Sequence, residues 1–277
     1  IPFIKMLHHR FDGCGFTFLQ FQNLLWDRNI GKGSSGDIYL CEYDKTPCVG
    51  KCFYFRDYVN EKGLHNDVSS ELMIYRELKD LDYVSEVIGY SYDEVEEYFC
   101  IIMKYYSDQS LYDIVSKDIL HENDKKLIAI EMCEGLKEIR ERNIIHCDIK
   151  PQNIIFHRET NKIKFIDFGA SVKLTGKYED VEEGMGTEGY MSQELQFGIA
   201  YHKSDIYSLG VSLLELWITD LWCLKANYRK DILFGIKRVE QRNKEVANII
   251  RKCVSTNISQ RPTIHTLIDK LAVIVET

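Results

Sequence analysis

The chain has 277 residues, of which 45% are hydrophobic and 28% are charged, a composition typical of globular proteins. This length is more than one compact core usually fills, so it predicts two lobes or two domains. With 35 Lys and Arg against 43 Asp and Glu, the net charge is −8, which argues against a general binder of nucleic-acid backbones. No apolar run approaches the roughly 18 residues that a membrane span needs.

The nine cysteines are odd in number and scattered along the chain. No Cys-x-x-Cys pair occurs, so the usual signature of a structural zinc site is missing. Reduced thiols are the better interpretation. They predict an intracellular protein, without deciding between cytoplasm and nucleus.

The chain up to about Met103 has the pattern of a β-rich region. Its β-branched and aromatic residues occur in short runs that end at turn-forming residues. The predicted strands cover residues 37–43, 48–55, 84–92 and 98–103. Between them, apolar residues recur at spacings of three and four, and this predicts a helix over residues 67–81.

Beyond Ser107 the pattern is typical of helices. The predicted helices cover residues 124–142, 204–220, 243–253 and 263–275. The second of these is apolar nearly all round, which indicates a helix buried at the centre of its lobe. The change of pattern over residues 105–109 marks a candidate hinge, and ligands favour the cleft between two lobes.

Gly31, Gly33 and Gly36 form a Gly-x-Gly-x-x-Gly motif. Glycine lets backbone N–H groups approach phosphate oxygens, because it has no Cβ in the way. By itself the motif is more typical of a tight hairpin. Strand-forming residues follow Gly36 where a Rossmann fingerprint needs a helix, so a dinucleotide site is disfavoured.

Lys51 lies in the predicted strand 48–55, and Glu71 lies twenty residues further on, in the predicted helix. Taken singly, each is usually a solvated surface charge. Taken together, they are suited to a buried ion pair that holds the ammonium group against nucleotide phosphates.

Two polar loops, each beside an apolar run, carry the strongest signal. Asp148, Lys150 and Asn153 share the first loop, and Asp167 opens the second. Carboxylate and amide oxygens from adjacent loops suit Mg²⁺, while Asp148 remains to accept a hydroxyl proton. Each loop alone is a commonplace β-turn, but their order and spacing make two unrelated turns improbable.

Together these motifs resemble the eukaryotic-type protein kinase family over residues 22–276. The resemblance implies an α+β, two-lobed protein kinase-like fold with a small β-rich N-lobe and a larger helical C-lobe. The expected kinase domain covers residues 22–277, with the N-lobe at about 22–103, the hinge at about 104–109 and the C-lobe at about 110–277. For the N-terminal extension, residues 1–21, an ordered strand or hairpin that caps apolar surface is favoured over a regulatory arm.

The resemblance also implies roles for the residues of the two loops. Asp148 is expected to be the catalytic aspartate, and Lys150 to steady the γ-phosphate. Asn153 and Asp167 are the expected Mg²⁺ ligands. The cofactors implied are therefore ATP and Mg²⁺.

The remaining predicted contacts surround ATP. Lys51 is expected to bind the α- and β-phosphates, with Glu71 as its partner on the helix. The other members form the glycine-rich loop (Gly31, Gly33, Gly36), the walls around adenine (Ile30, Ile38, Val49, Ile155), the gatekeeper (Met103) and the hinge (Tyr105, Tyr106). Tyr75, Val87, His146 and Phe168 resemble the apolar stack of an assembled kinase site.

The class of hydroxyl substrate follows from two positions of the resemblance. Lys150 and Thr187 match the serine/threonine kinases. Further along, Asp205 matches the buried aspartate that holds the catalytic loop, and Arg261 matches the structural partner of Glu194. Kinases of this family that prefer basic substrates have acidic residues at three positions. In this chain those positions are Ser110, Gln152 and Glu215, of which only Glu215 is acidic, so no strong preference for arginine is expected.

One departure from the family bears on regulation. Cys147 stands where an arginine usually binds a phosphate on the activation segment. Because a thiol cannot bind phosphate in that way, activity is not expected to depend on a phosphorylated segment. Gly50, in the strand of Lys51, is also unusual and costs some rigidity.

The sequence therefore predicts a serine/threonine protein kinase that transfers the γ-phosphoryl group of Mg-ATP to protein hydroxyls. The alternative is a nucleotide-binding pseudokinase that acts as a scaffold, but its mark would be the loss of Lys51, Asp148 or Asp167, and all three are present. A small-molecule kinase is a weaker alternative, because such enzymes usually lack the activation segment. The expected partner is a protein substrate, and the oligomeric state is open.

Overall fold

The computed structural model describes residues 15–32, 36–57, 61–93, 95, 97–117, 120–218 and 228–276. These divide into two compact units. The first holds the described residues up to Ser107 together with Asp167–Gly169, and the second holds Asp108–Ile166 and the described residues from Ala170 onward. The lobe and hinge bounds given above remain predictions.

The described part of the first unit is built on a six-stranded sheet in the order β1-β5-β6-β4-β3-β2. Its strands are β1 (Thr17–Phe18), β2 (Leu24–Lys32), β3 (Asp37–Tyr43), β4 (Thr46–Tyr54), β5 (Val87–Asp93) and β6 (Tyr98–Lys104), and its helix is α1 (Glu61–Leu78). Strand β1 pairs with β5 in parallel, whereas the other neighbours are antiparallel. Since side chains alternate across a strand, every second residue of β4 shares a face with Lys51.

The hairpin between β3 and β4 has a two-residue turn. Asp44 and Lys45 both have positive φ, 49° and 63°, which is the geometry of the type I′ turns that join twisted strands. This turn sets the register of the pair, with Tyr43 opposite Thr46 and Ile38 opposite Lys51.

The described part of the predicted N-terminal extension is an ordered strand on this sheet. The backbone N–H of Leu19 donates to the carbonyl of Tyr90 at 2.8 Å, and the Leu19 side chain is buried. Phe21 stacks on Trp26 with their ring centroids 5.7 Å apart. These residues belong to one apolar cluster on the sheet, which they help to cover. Phe11, Cys14 and the other residues before Gly15 lie outside the described part of the chain.

The second unit is mainly helical. Its helices are α2 (Leu111–Ser116), α3 (Glu122–Glu141), α4 (Gln193–Gln196), α5 (His202–Trp217), α6 (Tyr228–Arg242), α7 (Lys244–Cys253) and α8 (Ile264–Glu276). Its strands form three short antiparallel pairs: β7 (Ile144–Ile145) with β10 (Val172–Lys173), β8 (Ile154–His157) with β9 (Lys162–Phe165), and β11 (Glu179–Asp180) with β12 (Ile199–Ala200).

Helix α5 is the buried centre of the second unit, as its apolar circumference predicts. It packs against α3, α6 and α7. The approach to α7 is close, because a Cβ at Gly210 would come within 2.4 Å of the Cβ of Cys253. The predicted α+β class is confirmed by a sheet in the first unit and helices in the second.

The predicted elements are present, with shifted ends. Helix α1 begins at Glu61 instead of residue 67, because Gly63, His65 and Asn66 interrupt the apolar periodicity of its first turns. Helix α5 ends at Trp217, short of the predicted residue 220. Helix α2, at six residues, is too short to show a period, and β2 is mostly exposed, so neither was predicted. Helix α6 was also not predicted.

No helix among the described residues is both long enough and apolar enough to cross a membrane.

Candidate active site

In the first unit, Lys51 is held between two carboxylates. Its Nζ donates to both oxygens of Glu71, at 2.8 and 3.0 Å, and to Oδ1 of Asp167, at 2.8 Å. Strand β4 carries the lysine and helix α1 carries Glu71. Both side chains are 1% exposed, so the predicted buried ion pair exists and includes a third group.

The charges of this cluster control its protonation. Burial lowers the pKa of Lys51, but the carboxylates of Glu71 and Asp167 outweigh burial and hold that pKa above its usual value. Burial raises the pKa of Glu71 to about 6, against the opposing effect of the Lys51 ammonium. At neutral pH the lysine is therefore charged, and Glu71 is mostly ionised.

Asp167 adopts a backbone conformation that side chains rarely take, with φ at 61°. Conformations of this kind persist where the surrounding structure enforces them, and they cluster at functional sites. The next residue, Phe168, is buried and meets Tyr75 of α1 edge to face, with ring centroids 5.2 Å apart. The phenylalanine thus fixes the backbone beside the carboxylate.

In the second unit, Asp205 holds the backbone of the loop that follows β7. This carboxylate accepts the backbone N–H groups of His146, at 2.8 Å, and Cys147, at 2.9 Å. Burial raises the pKa of Asp205 to about 7, although the two N–H donors oppose that rise. Cys147 itself has a φ of 63°, so this strained turn depends on the aspartate beneath it.

Asp148 is buried at the tip of that loop. Its Oδ2 accepts from Nζ of Lys150 at 2.8 Å and from Nδ2 of Asn153 at 3.0 Å. Its Oδ1 is also buried, and it has no hydrogen-bond partner within the described part of the chain. A buried carboxylate oxygen without a donor is costly, so this atom is suited to accept a hydrogen bond from a substrate.

Lys150 links this loop to the activation segment, residues 167–194. Its Nζ donates to Oγ1 of Thr187 at 2.5 Å as well as to Asp148. The segment is also fixed at its end, where Arg261 donates to Glu194 through both terminal guanidinium nitrogens, at 2.5 and 2.9 Å. Arg261 is 1% exposed, so this pair is structural.

Cys147 occupies an apolar cluster instead of a phosphate site. The buried members are Ile145, Cys147, Ala170, Met191, Leu195 and Ala200, with Val172, Leu174, Val181 and Met185 packed against them. The strand pair β11–β12 also holds the segment, and next to it the N–H of Val181 donates to the carbonyl of Gly198 at 2.9 Å. Tertiary packing therefore orders the described activation segment without a cation at residue 147.

The predicted ATP contacts of the first unit lie on and beside its sheet. Met103 is buried, whereas Ile30 and Tyr105 are exposed. Ile38, Val49 and Tyr106 are partly buried. In the second unit, Ile155 of β8 is partly buried as well.

Two of the three motif glycines, Gly31 and Gly36, lie among the described residues. A Cβ at Gly36 would come within 2.6 Å of the Cys52 carbonyl, so that position needs glycine, whereas Gly31 has open space around it. The N–H of Gly31 donates to the side chain of Asn29 at 3.1 Å, a contact that sequence reasoning missed. Gly33 lies outside the described residues.

Tyr190 is a second residue without a predicted role. Its hydroxyl group contacts both carboxylate oxygens of Glu215, at 2.9 and 2.8 Å. Burial raises the pKa of Glu215 to about 7, opposed by the tyrosine hydrogen bond. Since the Glu215 carboxylate is partly neutral and already engaged, the pair gives further reason to expect no strong preference for arginine.

The donors predicted for a metal fit a hard cation. Nδ2 of Asn153 is bonded to the carbonyl and the carboxylate of Asp148, so the amide oxygen of Asn153 faces away from them. Asn153 and Asp167 each offer oxygen, as Mg²⁺ prefers. No group of three or more His, Cys, Asp or Glu side chains among the described residues is suited to hold a metal ion.

A family model described as "Protein kinase domain" matches residues 25–271 of the chain. The chain is 30% identical over 216 residues to the "Probable serine/threonine-protein kinase fnkE" of Dictyostelium discoideum, covering 74% of this chain and 16% of that protein. It is 24% identical over 271 residues to the serine/threonine-protein kinase SKM1 of Saccharomyces cerevisiae, covering 86% and 41%.

A third relative is an Aurora kinase of Eremothecium gossypii, which is 32% identical over 194 residues, with 68% of this chain and 51% of that protein covered. The chain thus spans between about a sixth and a half of the length of these three relatives.

Proposed function

This chain belongs to the protein kinase family, and on that premise we propose that it transfers the γ-phosphoryl group of ATP to serine and threonine hydroxyls of protein substrates. The family match supports the kinase activity, and the names of the relatives support the serine/threonine class. Nothing in these comparisons favours a pseudokinase. The family uses ATP and a divalent metal ion on protein substrates.

The observation that carries the proposed chemistry is Oδ1 of Asp148, which is buried and has no hydrogen-bond partner among the described residues. Lys150 and Asn153 engage the other oxygen and so orient the carboxylate. A substrate hydroxyl that donates to Oδ1 would be turned toward the γ-phosphate, and its proton would pass to Asp148 as the new O–P bond forms. A residue in this role orients its substrate as well as accepting the proton.

The two lysines supply the positive charge. Lys51 keeps its proton because Glu71 and Asp167 stabilise the ammonium group, and it binds the α- and β-phosphates in this proposal. Lys150 steadies the γ-phosphate from the loop of Asp148. Fixed charges of this kind stabilise the transferring phosphoryl group without reorganising.

We propose Mg²⁺ as the metal, with Asn153 and Asp167 as its protein ligands. Their hard oxygen donors support that choice. When bound, the ion would neutralise charge on the phosphates. Asp167 is already oriented by Lys51 through the 2.8 Å contact.

We also propose that activity does not depend on a phosphate in the activation segment. The apolar cluster around Cys147 and the pair of Thr187 with Lys150 support this. An intracellular location is proposed from the scattered cysteines, seven of which are free thiols in the described part of the chain. No general binding of nucleic acid is proposed, given the net charge of −8.

A degenerate peptide array tests the function. The wild-type protein, with ATP and Mg²⁺, is expected to phosphorylate serine and threonine peptides with little dependence on flanking arginine. Asp148→Asn is the matched control, because it keeps the size and most of the hydrogen bonds of the side chain. Equal labelling by both proteins, or phosphotyrosine as the main product, would contradict the proposal.

A further inference from the structure

Four cysteines lie on one face of the sheet of the first unit. They are Cys41 of β3, Cys48 and Cys52 of β4, and Cys100 of β6, and all are buried in one cluster. Lys51 projects from the opposite face, because side chains alternate along β4. The proposed nucleotide chemistry uses none of these thiols.

Cys41 and Cys48 are in direct contact. They are register partners across the β3–β4 pair, and their sulfur atoms are 3.2 Å apart. Paired residues of antiparallel strands have Cα atoms about 4.5–5.5 Å apart, which lies inside the range of about 4.4–6.8 Å that disulfides span. A bond between the two sulfurs therefore needs little movement of the backbone.

The hairpin keeps this pair in place. The two-residue turn at Asp44 and Lys45 sets the register of β3 and β4, and β6 pairs with β4 on its other side. A slip by one residue would turn the side chains of a strand to the other face of the sheet. The two thiols are thus held together by the fold.

The contact also favours ionisation of one sulfur. Hydrogen bonding with Cys41 lowers the pKa of the Cys48 thiol, against the effect of its burial, while the same contact raises the pKa of Cys41. By contrast, burial raises the pKa of Cys147 well above its usual value. Either sulfur can be the donor of this contact, and the thiolate is the reactive form, so whichever thiol ionises is the attacking sulfur and the other is the resolving one.

We propose that Cys41 and Cys48 form an oxidation site, at which hydrogen peroxide converts the two thiols into a cross-strand disulfide. The thiolate of one of the two cysteines attacks the peroxide O–O bond and becomes a sulfenic acid, and the released hydroxide takes a proton to become water. The sulfur of the other cysteine then displaces the sulfenic oxygen, which leaves as a second water. Two thiols lose two electrons and two protons, and one peroxide becomes two waters.

Access depends on opening at the end of the hairpin, because Cys41 is 3% exposed and Cys48 is 0% exposed. Local opening of this kind is usual near strand ends and turns. Oxidation is therefore expected to be slower than that of an exposed thiol and to speed up as the pH rises, since a larger thiolate fraction reacts faster.

A second thiol pair provides an internal comparison. Cys52 and Cys100 are also register partners in the same buried cluster, and the Cys52 sulfur lies 3.9 Å from the carbonyl of Gly50. Burial and a hydrogen bond with Cys52 raise the pKa of the Cys100 thiol well above its usual value. Cys41–Cys48 is therefore expected to bridge first.

Peptide mapping tests the assignment on the folded chain. The protein is treated with a small excess of hydrogen peroxide, then denatured in the presence of an alkylating reagent so that the buried thiols are capped as they become exposed, and digested with trypsin without a reductant. Trypsin cuts after Lys32, Lys45 and Lys51, so the two cysteines fall on separate peptides, 33–45 and 46–51. We expect these peptides to be joined, with the loss of two hydrogens, and to separate with dithiothreitol.

The proposal is wrong if Cys41 and Cys48 are found alkylated on separate peptides while Cys52 and Cys100 are joined. It is also wrong if neither pair is joined when other thiols are oxidised. Cys48→Ala should abolish the joined peptides, whereas the matched control Cys52→Ala should keep them. If either variant is unstable, the rate of bridging in the wild-type protein between pH 6.5 and about 8.5 decides, because a thiolate reaction rises with pH.

Discussion

The indole of Trp26 lies directly over Gly50, so closely that a Cβ at residue 50 would come within 2.5 Å of its Cη2 atom and 2.6 Å of its Cζ3 atom. Glycine in the strand of Lys51 is therefore a packing requirement, although it is unusual by resemblance. Trp26 packs in turn against Phe21 and Tyr39. The indole therefore connects Phe21, which precedes β2, with Gly50 of β4, the strand that carries Lys51.

Gly50→Ala should destabilise the protein by about 1–3 kcal/mol, because the rigid indole must move to admit a methyl group. Urea unfolding of the wild type and the variant measures this loss. In the background of Trp26→Leu the same substitution should cost less, since the clashing ring atoms are gone. Equal costs in both backgrounds would show that the indole is not the cause.

Asp148→Asn separates binding from chemistry. The residue accepts the substrate proton but has no predicted contact with adenine, so turnover should fall by about 10²–10⁴ while nucleotide affinity stays within a few-fold. Steady-state rates and nucleotide titration measure the two effects. Loss of nucleotide binding in this variant would contradict the division of roles.

Asp167→Asn should behave differently from Asp148→Asn. It weakens a proposed metal ligand and removes a charge that contacts Lys51 at 2.8 Å. Nucleotide affinity should therefore lose most of its dependence on Mg²⁺, as measured by titration with and without the metal. Unchanged Mg²⁺ dependence would remove Asp167 from the metal site.

The raised pKa of the Glu71 carboxyl predicts that kinase activity falls at acidic pH. Burial raises its pKa to about 6, so it takes a proton as the pH falls through about 6 and loses its attraction for Lys51. We expect kcat/KM to fall below that pH. The contribution of this group to folding stability should change in the opposite direction to activity. Because its carboxyl pKa is raised by folding, that stabilising contribution is present below about pH 4.5 and is lost as the pH rises through about 6.

Glu71→Gln is the control for that fall in activity. It should be less active at every pH, and the wild-type change near pH 6 should be weaker or absent in its profile. Circular dichroism at each pH checks that the fold is retained. An unaltered inflection in Glu71→Gln would assign the fall to another group.

Removal of phosphate from the activation segment should leave activity largely intact. Cys147 lies in an apolar cluster, and a thiol carries no positive charge with which to bind a phosphate. Phosphatase-treated protein is expected to keep most of its rate. Thr187→Ala should impair turnover, since it removes the 2.5 Å partner of Lys150, whereas Thr175→Ala should have little effect. A drop of tenfold or more on dephosphorylation, about 1.4 kcal/mol in the barrier, would contradict this.

The kinase motifs could be recognised in the sequence because phosphoryl transfer needs particular residue types, and these occur in a characteristic order and spacing. The order of Lys51, Glu71, Asp148 and Asp167 predicted the family, and the strands and helices around them followed from periods of 2 and 3.6. Helix α5 was recognisable because a fully buried helix is apolar all round.

Tertiary structure decided the features that depend on partners far apart in the chain. Only the fold shows that Asp167 joins the pair of Lys51 and Glu71, or that one oxygen of Asp148 is buried with no donor in the part of the chain that the structure describes. The reason for Gly50 is a ring 24 positions away, and the contact of Cys41 with Cys48 depends on the register of a hairpin. Local patterns record propensity and burial, but they do not record which side chains a fold brings together.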